Sequence, residues 1–391
     1  MSLRHLTPGG RGFLMVNAHP GGAAASVDRM WEQIHDRTED GRRPVVLVVG
    51  SSAGYGLAAT LAAARLGARG IGVSFEAPET ERRTASAGWY RTARTAELVD
   101  DWVFLNADAF GPGAKADVVK LLAERFGPVD YLVYSVAAPR RTDPATGLLH
   151  RSVIKPLGEP YTAKTLVFED EAPVVGSSTL DPADEAERHA TVQVMGGADW
   201  RLWVDALDGA GLLADGFTTA ALTYVGSELT APIYRAGTIG AAKQHLERTA
   251  RVLDEHLAGR GRAFTVVAGA AVTQASTAIP SIALYTSILH RVAGEQFEST
   301  TLQMTRMWEQ LTGVALLEQD AAGRVRLDEW ELEPDVQARV REVWERVTAA
   351  TVAEEADTDW FLAQVGQMYG WRVPGVDYAE EQETTVAWPA D

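Results

Sequence analysis

The chain has 391 residues, of which 46% are apolar and 23% are charged, the proportions of a globular protein with a large core. It contains no cysteine, which excludes disulfides, thiolate catalysis and cysteine-ligated metals. The formal net charge of −17 and the absence of a long Lys/Arg run argue against nucleic-acid binding.

The N-terminal segment, residues 1–10, does not resemble a secretory signal. It lacks the apolar stretch of a secretory signal, and no later apolar run reaches membrane-spanning length. We therefore expect a cytoplasmic protein without a membrane span.

Strand-like and helix-like segments alternate through most of the chain. Continuous apolar runs, typical of parallel strands covered on both faces, occupy residues 45–49, 70–75, 131–136, 220–225 and 264–268. Helical patterns occupy residues 55–68, 115–126 and 238–257. This alternation predicts an α/β fold with a Rossmann-like, doubly wound parallel sheet.

Two regions interrupt the alternation. Residues 140–190 are polar and rich in proline and threonine, and we expect an insertion or lid that contains a small hairpin. Residues 280–391 are predicted to form a helical C-terminal elaboration, with an irregular tail from residue 373 onward. One helical face in it carries Val336, Val340, Val343, Trp344 and Val347. Because no Gly/Ser linker separates these regions, we predict a single domain over 1–391 with an extended N-terminal segment.

A glycine-rich turn links the first predicted strand to the helix that follows it. Gly50, Gly54 and Gly56 have the spacing used by short-chain dehydrogenases, and Ser52 and Tyr55 stand between them. Glycine permits a tight turn and close backbone approach to a pyrophosphate, and the helix N-terminus supplies free N–H groups. The turn predicts a dinucleotide site; the alternative is a tight turn that binds nothing.

Glu76 ends the second predicted strand, 20 positions after Gly56. A carboxylate at this place binds the adenosine ribose hydroxyls and repels the additional phosphate of NADPH, so we predict a preference for NADH. Two alternatives remain: Glu76 is only an exposed strand end, or nearby arginines accept that phosphate. Those arginines are Arg82, Arg83, Arg91 and Arg94. Two later strand ends, 106–109 and 134–138, are predicted to lie near the adenine and the nicotinamide ribose; the alternative is that their small residues serve only packing.

Tyr224, Tyr234 and Lys243 follow a predicted strand, at the edge of the sheet where a ligand would bind. On a single continuous helix, Tyr234 and Lys243 would lie on opposite faces. Thr238 is predicted to cap a new helix, which leaves Tyr234 in the loop and Lys243 in the second helical turn. A phenol can donate to an oxygen that gains negative charge, and a nearby ammonium would lower the phenol's pKa. We therefore predict a catalytic Tyr/Lys pair, although a packed tyrosine and a solvated lysine are the alternatives for each residue alone.

Further motifs occur in order along nearly the whole chain. They include Asn17-Ala-His-Pro20, Gly88-Trp-Tyr90, Arg141-Thr-Asp-Pro144, Val194-Met-Gly-Gly197, Val272-Thr-Gln-Ala-Ser276 and Gly375-Val-Asp-Tyr378. With the turn and the 224–243 segment, the chain resembles the FabV-type enoyl-ACP reductases and trans-2-enoyl-CoA reductases, enlarged relatives of the short-chain dehydrogenases. The resemblance implies NADH-dependent reduction of the C2=C3 double bond of a trans-2-enoyl thioester, carried by CoA or acyl-carrier protein.

The resemblance also implies roles for individual residues. Tyr234 would donate a proton or stabilise the enolate, Lys243 would be its partner and a cofactor ligand, and Tyr224 would lie near the thioester carbonyl. The implied NADH site consists of Gly50, Ser52, Tyr55, Phe75, Glu76, Asp108, Ala109, Ser135, Ala137, Thr273, Gln274 and Ala275. Members of the family are mostly NADH-dependent and metal-free, and the resemblance favours a monomer.

Some positions near the implied acyl pocket depart from the family's pattern. Ala231 stands where tryptophan is common, Ser227 stands where proline is usual, and residues 298–303 replace a His-Glu-Gly-Cys run. Because tryptophan is large, Ala231 is predicted to contact the substrate and to make room for an atypical, bulkier enoyl group. Two other interpretations remain open: a ketoreductase that uses the same Tyr/Lys pair, and a non-catalytic NAD(H) sensor. His19 has no assigned role.

Overall fold

The computed structural model describes residues 3–35, 41, 43–169 and 172–389. Its strands are β1 (Leu3–Arg4), β2 (Gly10–Arg11), β3 (Leu14–Met15), β4 (Val45–Val49), β5 (Arg69–Ser74), β6 (Trp102–Asn106), β7 (Val129–Tyr134), β8 (Arg140–Thr142), β9 (Leu149–Arg151), β10 (Tyr161–Glu169), β11 (Ala172–Leu180), β12 (Leu213–Thr223), β13 (Gly261–Val267), β14 (Val325–Arg326) and β15 (Gln382–Glu383). Its α-helices are α1 (Pro20–Glu32), α2 (Gly54–Arg65), α3 (Ala87–Leu98), α4 (Pro112–Leu121), α5 (Glu185–Met195), α6 (Ala198–Gly209), α7 (Ala231–Tyr234), α8 (Thr238–His256), α9 (Ile282–Ala293), α10 (Thr300–Leu311), α11 (Glu329–Leu332), α12 (Pro334–Arg346), α13 (Val352–Glu355) and α14 (Thr358–Gln367). Within these ranges, no helix has both the length and the apolar character needed to cross a membrane.

Seven of the strands form one parallel sheet in the order β14-β13-β12-β7-β4-β5-β6. The chain runs outward from β4 through β5 to β6, then returns to β7 beside β4 and continues outward on the other side. This is the predicted doubly wound fold. The order reverses between β4 and β7, and ligands of such sheets bind at the carboxyl ends of the strands near this reversal.

Both faces of the sheet are buried, because successive side chains of a strand point to opposite sides. On β4, Val45, Leu47 and Val49 join a core cluster with α4, α6 and α8. Val46 and Val48 join the opposite cluster, which contains residues of α2 and α10. This two-sided burial explains the continuous apolar run of β4.

The element bounds differ from the predictions mainly where the apolar pattern is broken. The predicted run 45–49 is β4 without change, and β6 ends at Asn106, where a strand end is predicted. β12 begins seven residues earlier than predicted, because the irregular stretch between Leu213 and Thr218 contains Asp215 and Gly216, which break the apolar pattern. The two-residue strand β14 is too short to show a pattern, and the sequence does not predict it.

The insertion contains two hairpins, where one is predicted. β8 pairs with β9, and β10 pairs with β11 over nine residue pairs. Leu166 of β10 is buried in the same cluster as residues of α9 and α12, and the Lys164 ammonium donates to the Trp344 carbonyl oxygen at 2.5 Å. Because the insertion packs on the C-terminal helices, these contacts support the single-domain organisation, which stays a prediction.

The C-terminal region is helical, as predicted, and its tail rejoins the N-terminal segment. Val336, Val340 and Val343 are buried on α12, while Val347 is buried just beyond the end of that helix. The tail is not wholly irregular, since β15 pairs antiparallel with β1.

His19 is a structural residue in this region. Its Nδ1 accepts from the backbone N–H of Gly22 at 3.0 Å and caps α1. Its ring lies 4.8 Å from the Trp371 ring and 4.7 Å from the Tyr378 ring. Burial lowers the pKa of His19 to about 4, so the imidazole is neutral at physiological pH.

Candidate active site

The glycine-rich turn between β4 and α2 leaves no room for side chains at two positions. A Cβ on Gly50 would lie 2.2 Å from the Ser135 carbonyl oxygen, and one on Gly56 would lie 1.8 Å from the Gly50 carbonyl oxygen. Gly54, with a φ of 53°, is in the left-handed region that favours glycine. Among the described residues, no side chain caps the N-terminus of α2, so its N–H groups are available to an anion. The turn therefore fits a pyrophosphate.

The Glu76 carboxylate follows β5 and is held beside the turn by two hydroxyl groups. Ser52 and Ser86 each donate to it at 2.5 Å. It lies against Gly88, where a Cβ would be 2.0 Å from Oε1. The Asn106 side chain bonds both the N–H and the carbonyl oxygen of Glu76. Glu76 is therefore a fixed carboxylate and not a loose strand end, which supports its predicted place at the ribose of NADH.

Two of the nearby arginines have other partners. Arg91 is buried and donates to two backbone carbonyl groups near the end of α14. Arg94 forms ion pairs of 2.7 Å with two carboxylates. Arg82 and Arg83 are exposed in the segment before α3. Engagement of the first two arginines weakens the alternative in which this segment accepts the additional phosphate of NADPH.

The other residues of the expected NADH site lie along the same edge of the sheet. Phe75, directly after β5, is 75% exposed, which is unusual for a large aromatic ring and suits stacking on a base. Asp108 and Ala109 follow β6, and Ser135 and Ala137 follow β7. Because the carboxyl ends of parallel strands share one edge, these short segments lie around the turn.

The loop after β13 completes this edge and approaches the glycine-rich turn. The Thr273 methyl group lies 3.6 Å from the place of a Cβ on Gly54, and Gln274 and Ala275 are exposed. The Tyr55 hydroxyl donates to the Gly269 carbonyl oxygen at the start of the loop. Tyr55 therefore holds the loop, while its predicted contact with NADH stays a prediction.

Tyr224 and Tyr234 lie together beyond the end of β12. Their ring centroids are 4.6 Å apart with an interplanar angle of 78°, an edge-to-face contact. Tyr234 is buried, and its hydroxyl has no hydrogen-bond partner within the described part of the chain. It ends the one-turn helix α7, where a loop position is predicted.

Lys243 lies in the second turn of α8, as predicted, but the cap of that helix is different. Gly237 occupies the cap, because the Thr238 hydroxyl donates to the Val153 carbonyl oxygen at 2.6 Å. The prediction that Thr238 is the N-cap is therefore wrong. The Lys243 ammonium makes no hydrogen bond to any residue that the structure describes, and burial lowers its pKa to about 8.

The expected lowering of the Tyr234 pKa by the Lys243 ammonium is also wrong. Burial, and after it the carboxylate of Glu331, raise the pKa of Tyr234 above its ordinary value. A buried phenol next to a buried carboxylate resists ionisation. Tyr234 is therefore a protonated hydrogen-bond donor at neutral pH.

Glu331, on α11, is a site residue that the sequence does not reveal. It is fully buried and accepts from the hydroxyls of Tyr224 at 2.6 Å and Tyr285 at 2.8 Å, and from the Ala270 N–H at 2.6 Å. Burial raises its pKa to about 7. No motif distinguishes it in the sequence from the neighbouring Glu329 and Glu333.

The positions that depart from the family pattern lie around this cluster. Ala231 is half-buried at the start of α7, three residues before Tyr234. Ser227 is buried, and its hydroxyl has no partner within the described ranges. Gln303, in the altered 298–303 segment, accepts from the Gly269 N–H at 2.8 Å and so holds the loop after β13. Among the described residues, no group of His, Asp and Glu side chains is arranged to hold a metal ion.

Three family models match the chain in succession. Residues 5–81 match the NAD(P)H-binding domain of trans-2-enoyl-CoA reductase, and residues 83–312 match the trans-2-enoyl-CoA reductase catalytic region. Residues 319–381 match a model described as an enoyl reductase FAD-binding domain.

The third segment does not fit a flavin. Its apolar side chains, such as Val340 and Phe361, are buried against α9 and the insertion. Its two buried carboxylates already have partners: Asp328 pairs with Arg326 at 2.7 Å, and Glu331 accepts the hydrogen bonds described above. The open pocket of this segment is lined by three carboxylates, of Glu329, Glu333 and Asp335, against one guanidinium, of Arg339. These carboxylates would repel the pyrophosphate of FAD, and we assign no flavin chemistry to the segment.

Relatives with assigned names match over almost their whole length. An enoyl-[acyl-carrier-protein] reductase [NADH] from Streptomyces avermitilis is 53% identical, over 98% of this chain and 100% of the relative. A trans-2-enoyl-CoA reductase [NADH] from Clostridium perfringens is 39% identical, over 96% and 98%. The crystal structure of Treponema denticola trans-2-enoyl-CoA reductase in complex with NAD superposes with a TM-score of 0.90 at 36% identity, over 96% of this chain and 97% of that chain. The chain therefore belongs to the family of FabV-type enoyl-ACP reductases and trans-2-enoyl-CoA reductases.

Proposed function

We propose that this protein is an NADH-dependent reductase of the C2=C3 double bond of a trans-2-enoyl thioester. The observation that carries the proposal is the juxtaposition of a dinucleotide turn and a buried, unpartnered phenol at one edge of the sheet. The family and the names of its close relatives support the same reaction.

The cofactor is proposed to bind along the carboxyl edge of the sheet. The turn formed by Gly50, Gly54 and Gly56 and the N-terminus of α2 would hold the pyrophosphate. Glu76 would accept from the adenosine ribose, and Phe75 would cover the adenine. The remaining NADH contacts are proposed for Ser52, Tyr55, Asp108, Ala109, Ser135, Ala137, Thr273, Gln274 and Ala275.

When bound, NADH supplies a hydride to C3 of the substrate. The electron pair of the double bond moves toward the thioester, whose oxygen becomes an enolate. The Tyr234 O–H is positioned before the reaction to donate to this oxygen, which is worth most in a buried site. Lys243 would bind the nicotinamide ribose and place a positive charge near the developing anion. A proton from water is then added at C2, which restores the thioester carbonyl group and completes the reduction.

The acyl carrier and the acyl group of the substrate are inferred from the relatives and from the position of Ala231. Relatives are named for both acyl-carrier protein and CoA thioesters, and either carrier suits the proposed chemistry. Ala231 is proposed to border the acyl group because it lies one turn before Tyr234. A bulkier, atypical enoyl group, the monomeric state and the cytoplasmic location stay predictions.

The test is a direct assay of purified protein with NADH and crotonyl-CoA, followed by the absorbance of the cofactor. We expect NADH to be oxidised, NADPH to be a poor replacement, and Tyr234→Phe to lose at least about a hundredfold in kcat, the scale of one oxyanion donor. Tyr378→Phe removes a hydroxyl that bonds the backbone of Val373 and Gly370 and belongs to neither proposed binding region, and we expect it to retain activity.

Two outcomes would contradict the proposal. Turnover of a β-ketoacyl thioester without turnover of any enoyl thioester would indicate a ketoreductase. Tight NADH binding with no turnover of crotonyl, longer or branched enoyl thioesters on either carrier would favour a non-catalytic sensor.

A further inference from the structure

The Glu331 carboxylate connects the two phenols to the C-terminal region. Its Oε1 accepts from both the Tyr224 and the Tyr285 hydroxyls, and its Oε2 accepts from the Ala270 N–H. The sequence separation between Tyr224 and Glu331 is 107 residues, so tertiary packing alone creates this contact.

The donors around Glu331 fix the direction of each hydrogen bond. A phenol has one hydrogen, and the Tyr224 hydrogen is committed to Glu331. The Tyr285 oxygen accepts from the Gln337 amide at 3.1 Å, so its own hydrogen also points to Glu331. Within the described part of the chain, Tyr234 is left as the phenol in this cluster whose hydrogen has no acceptor.

We infer that Glu331 is a positioning residue for the reductase: it anchors Tyr224, whose ring orients Tyr234, and it leaves Tyr234 as the phenol that donates to the substrate oxygen. The inference rests on the proposed function. It changes the role expected for Tyr224, which becomes a support for Tyr234 and not a second donor to the thioester.

The contact between the Tyr224 and Tyr234 rings is what allows Glu331 to influence the position of Tyr234. Tyr224 meets Tyr234 edge to face at 4.6 Å, so a rotation of Tyr224 about its side-chain bonds would displace the Tyr234 ring. Fixing a donor within a fraction of an ångström matters for rate, because a misplacement of about 1 Å can cost roughly a hundredfold.

The same carboxylate also fixes the loop after β13. Ala270 donates to Glu331, while the preceding Gly269 is held by Gln303 and by Tyr55. This loop continues to the residues proposed to contact NADH. Glu331 therefore couples the place of the phenols to the place of the cofactor loop.

The ionised form of Glu331 is the form that accepts from both phenols. Burial raises its pKa to about 7, and the nearby Asp328 opposes ionisation further, whereas Tyr224, Tyr285 and the Ala270 N–H favour it. Assays at about pH 8, one unit above that value, keep most of the carboxylate ionised.

The experiment is a double-mutant cycle of Glu331→Gln with Tyr224→Phe. The glutamine oxygen must face the Ala270 N–H, so its NH₂ group faces the phenols and the bond to Tyr224 is reversed. We expect each single variant to lower kcat about tenfold, with KM for NADH within about twofold. We expect the double variant to be no slower than the slower single variant, because both changes remove the same hydrogen bond, the one that the Tyr224 hydroxyl donates to Glu331.

Two further variants serve as controls. Asp328→Asn alters a buried carboxylate three residues away that pairs with Arg326 and contacts neither phenol, and we expect kcat to be retained. Glu331→Asp keeps the charge on a shorter side chain, and we expect it to recover part of the kcat that Glu331→Gln loses.

The outcomes separate this inference from the proposed function. If the wild-type protein does not reduce enoyl thioesters, the proposed function fails. If it does, but Glu331→Gln retains full kcat or the two losses multiply, the inference is overturned. If Glu331→Gln does not fold, Tyr224→Phe decides, because a loss as large as that of Tyr234→Phe would mean that Tyr224 itself donates to the substrate.

Discussion

A single methyl group at Gly88 should displace the carboxylate that is proposed to bind the ribose of NADH. Gly88 is the second residue of α3, where alanine fits the helical backbone. The added Cβ would lie 2.0 Å from Oε1 of Glu76 and 2.3 Å from its Cδ. Gly88→Ala therefore moves the Glu76 side chain without changing any charge.

The size of the effect follows from these distances. To reach ordinary contact the carboxylate must move by at least about 1 Å, which takes its 2.5 Å bonds from Ser52 and Ser86 to the limit of hydrogen bonding. Loss of one charge-assisted hydrogen bond to the ribose costs about 1.5–3 kcal/mol, or roughly 10- to 100-fold in affinity. We expect KM for NADH to rise by that factor, while kcat at saturating NADH changes by less than about threefold.

Steady-state kinetics with NADH and NADPH measures both quantities. Gly113→Ala is the matched control, because Gly113 is also the second residue of a helix, α4, and a Cβ there would meet nothing within 4 Å. An unchanged KM for NADH in a folded Gly88→Ala protein would refute the role of Glu76 at the ribose.

Two further changes test other parts of the structure. Ala231→Trp should lower kcat/KM for long or branched enoyl thioesters at least about tenfold more than for crotonyl-CoA, because the added ring fills space beside Tyr234; an unchanged chain-length profile would contradict this. His19→Asn should reduce the loss of stability at acid pH. The measurement is the free energy of unfolding in urea across a pH series. Burial lowers the pKa of His19 to about 4, whereas its pKa in the unfolded chain is near 6.5. The stabilisation that comes from keeping His19 neutral is therefore complete above about pH 6.5 and is lost as the pH falls toward 4, by up to about 3 kcal/mol.

The asparagine is chosen because its side-chain oxygen can still accept from Gly22 and cap α1. A general loss of stability at all pH values would therefore indicate lost packing against Trp371 and Tyr378. If the free energy of unfolding falls by the same amount at acid pH in both proteins, His19 does not titrate as its buried position requires.

The parts of the fold predicted from sequence are those that local patterns determine. The run 45–49 is apolar at every position because both sheet faces are covered, and the glycines of the turn are required by contacts within a few residues. The catalytic Tyr/Lys pair stays a prediction, but the helix break that it requires between Tyr234 and Lys243 is present, because adjacent residues determine it.

The features that could not be predicted from the sequence depend on contacts between segments that are distant along the chain. Threonine is a favourable N-cap residue, but the Thr238 hydroxyl instead donates a hydrogen bond to the Val153 carbonyl oxygen in the insertion. The raised pKa of Tyr234 depends on burial and on Glu331, neither of which a spacing rule contains. Glu331 lies on a short helix among other acidic residues, and only the packing of that helix on α9 makes it a partner of the phenols.

The contact between Tyr224 and Glu331 also has a consequence for synthesis on the ribosome. Tyr224 and Glu331 are 107 positions apart, so at a translation rate of about 5–20 residues per second Tyr224 is synthesised roughly 5–20 seconds before Glu331. During that interval most of the nascent parallel sheet can form, but the phenol cluster still lacks the group that orders it. The catalytic centre is therefore among the last parts of the protein to mature, and nascent chains that end before residue 331 should require protection by chaperones while remaining inactive.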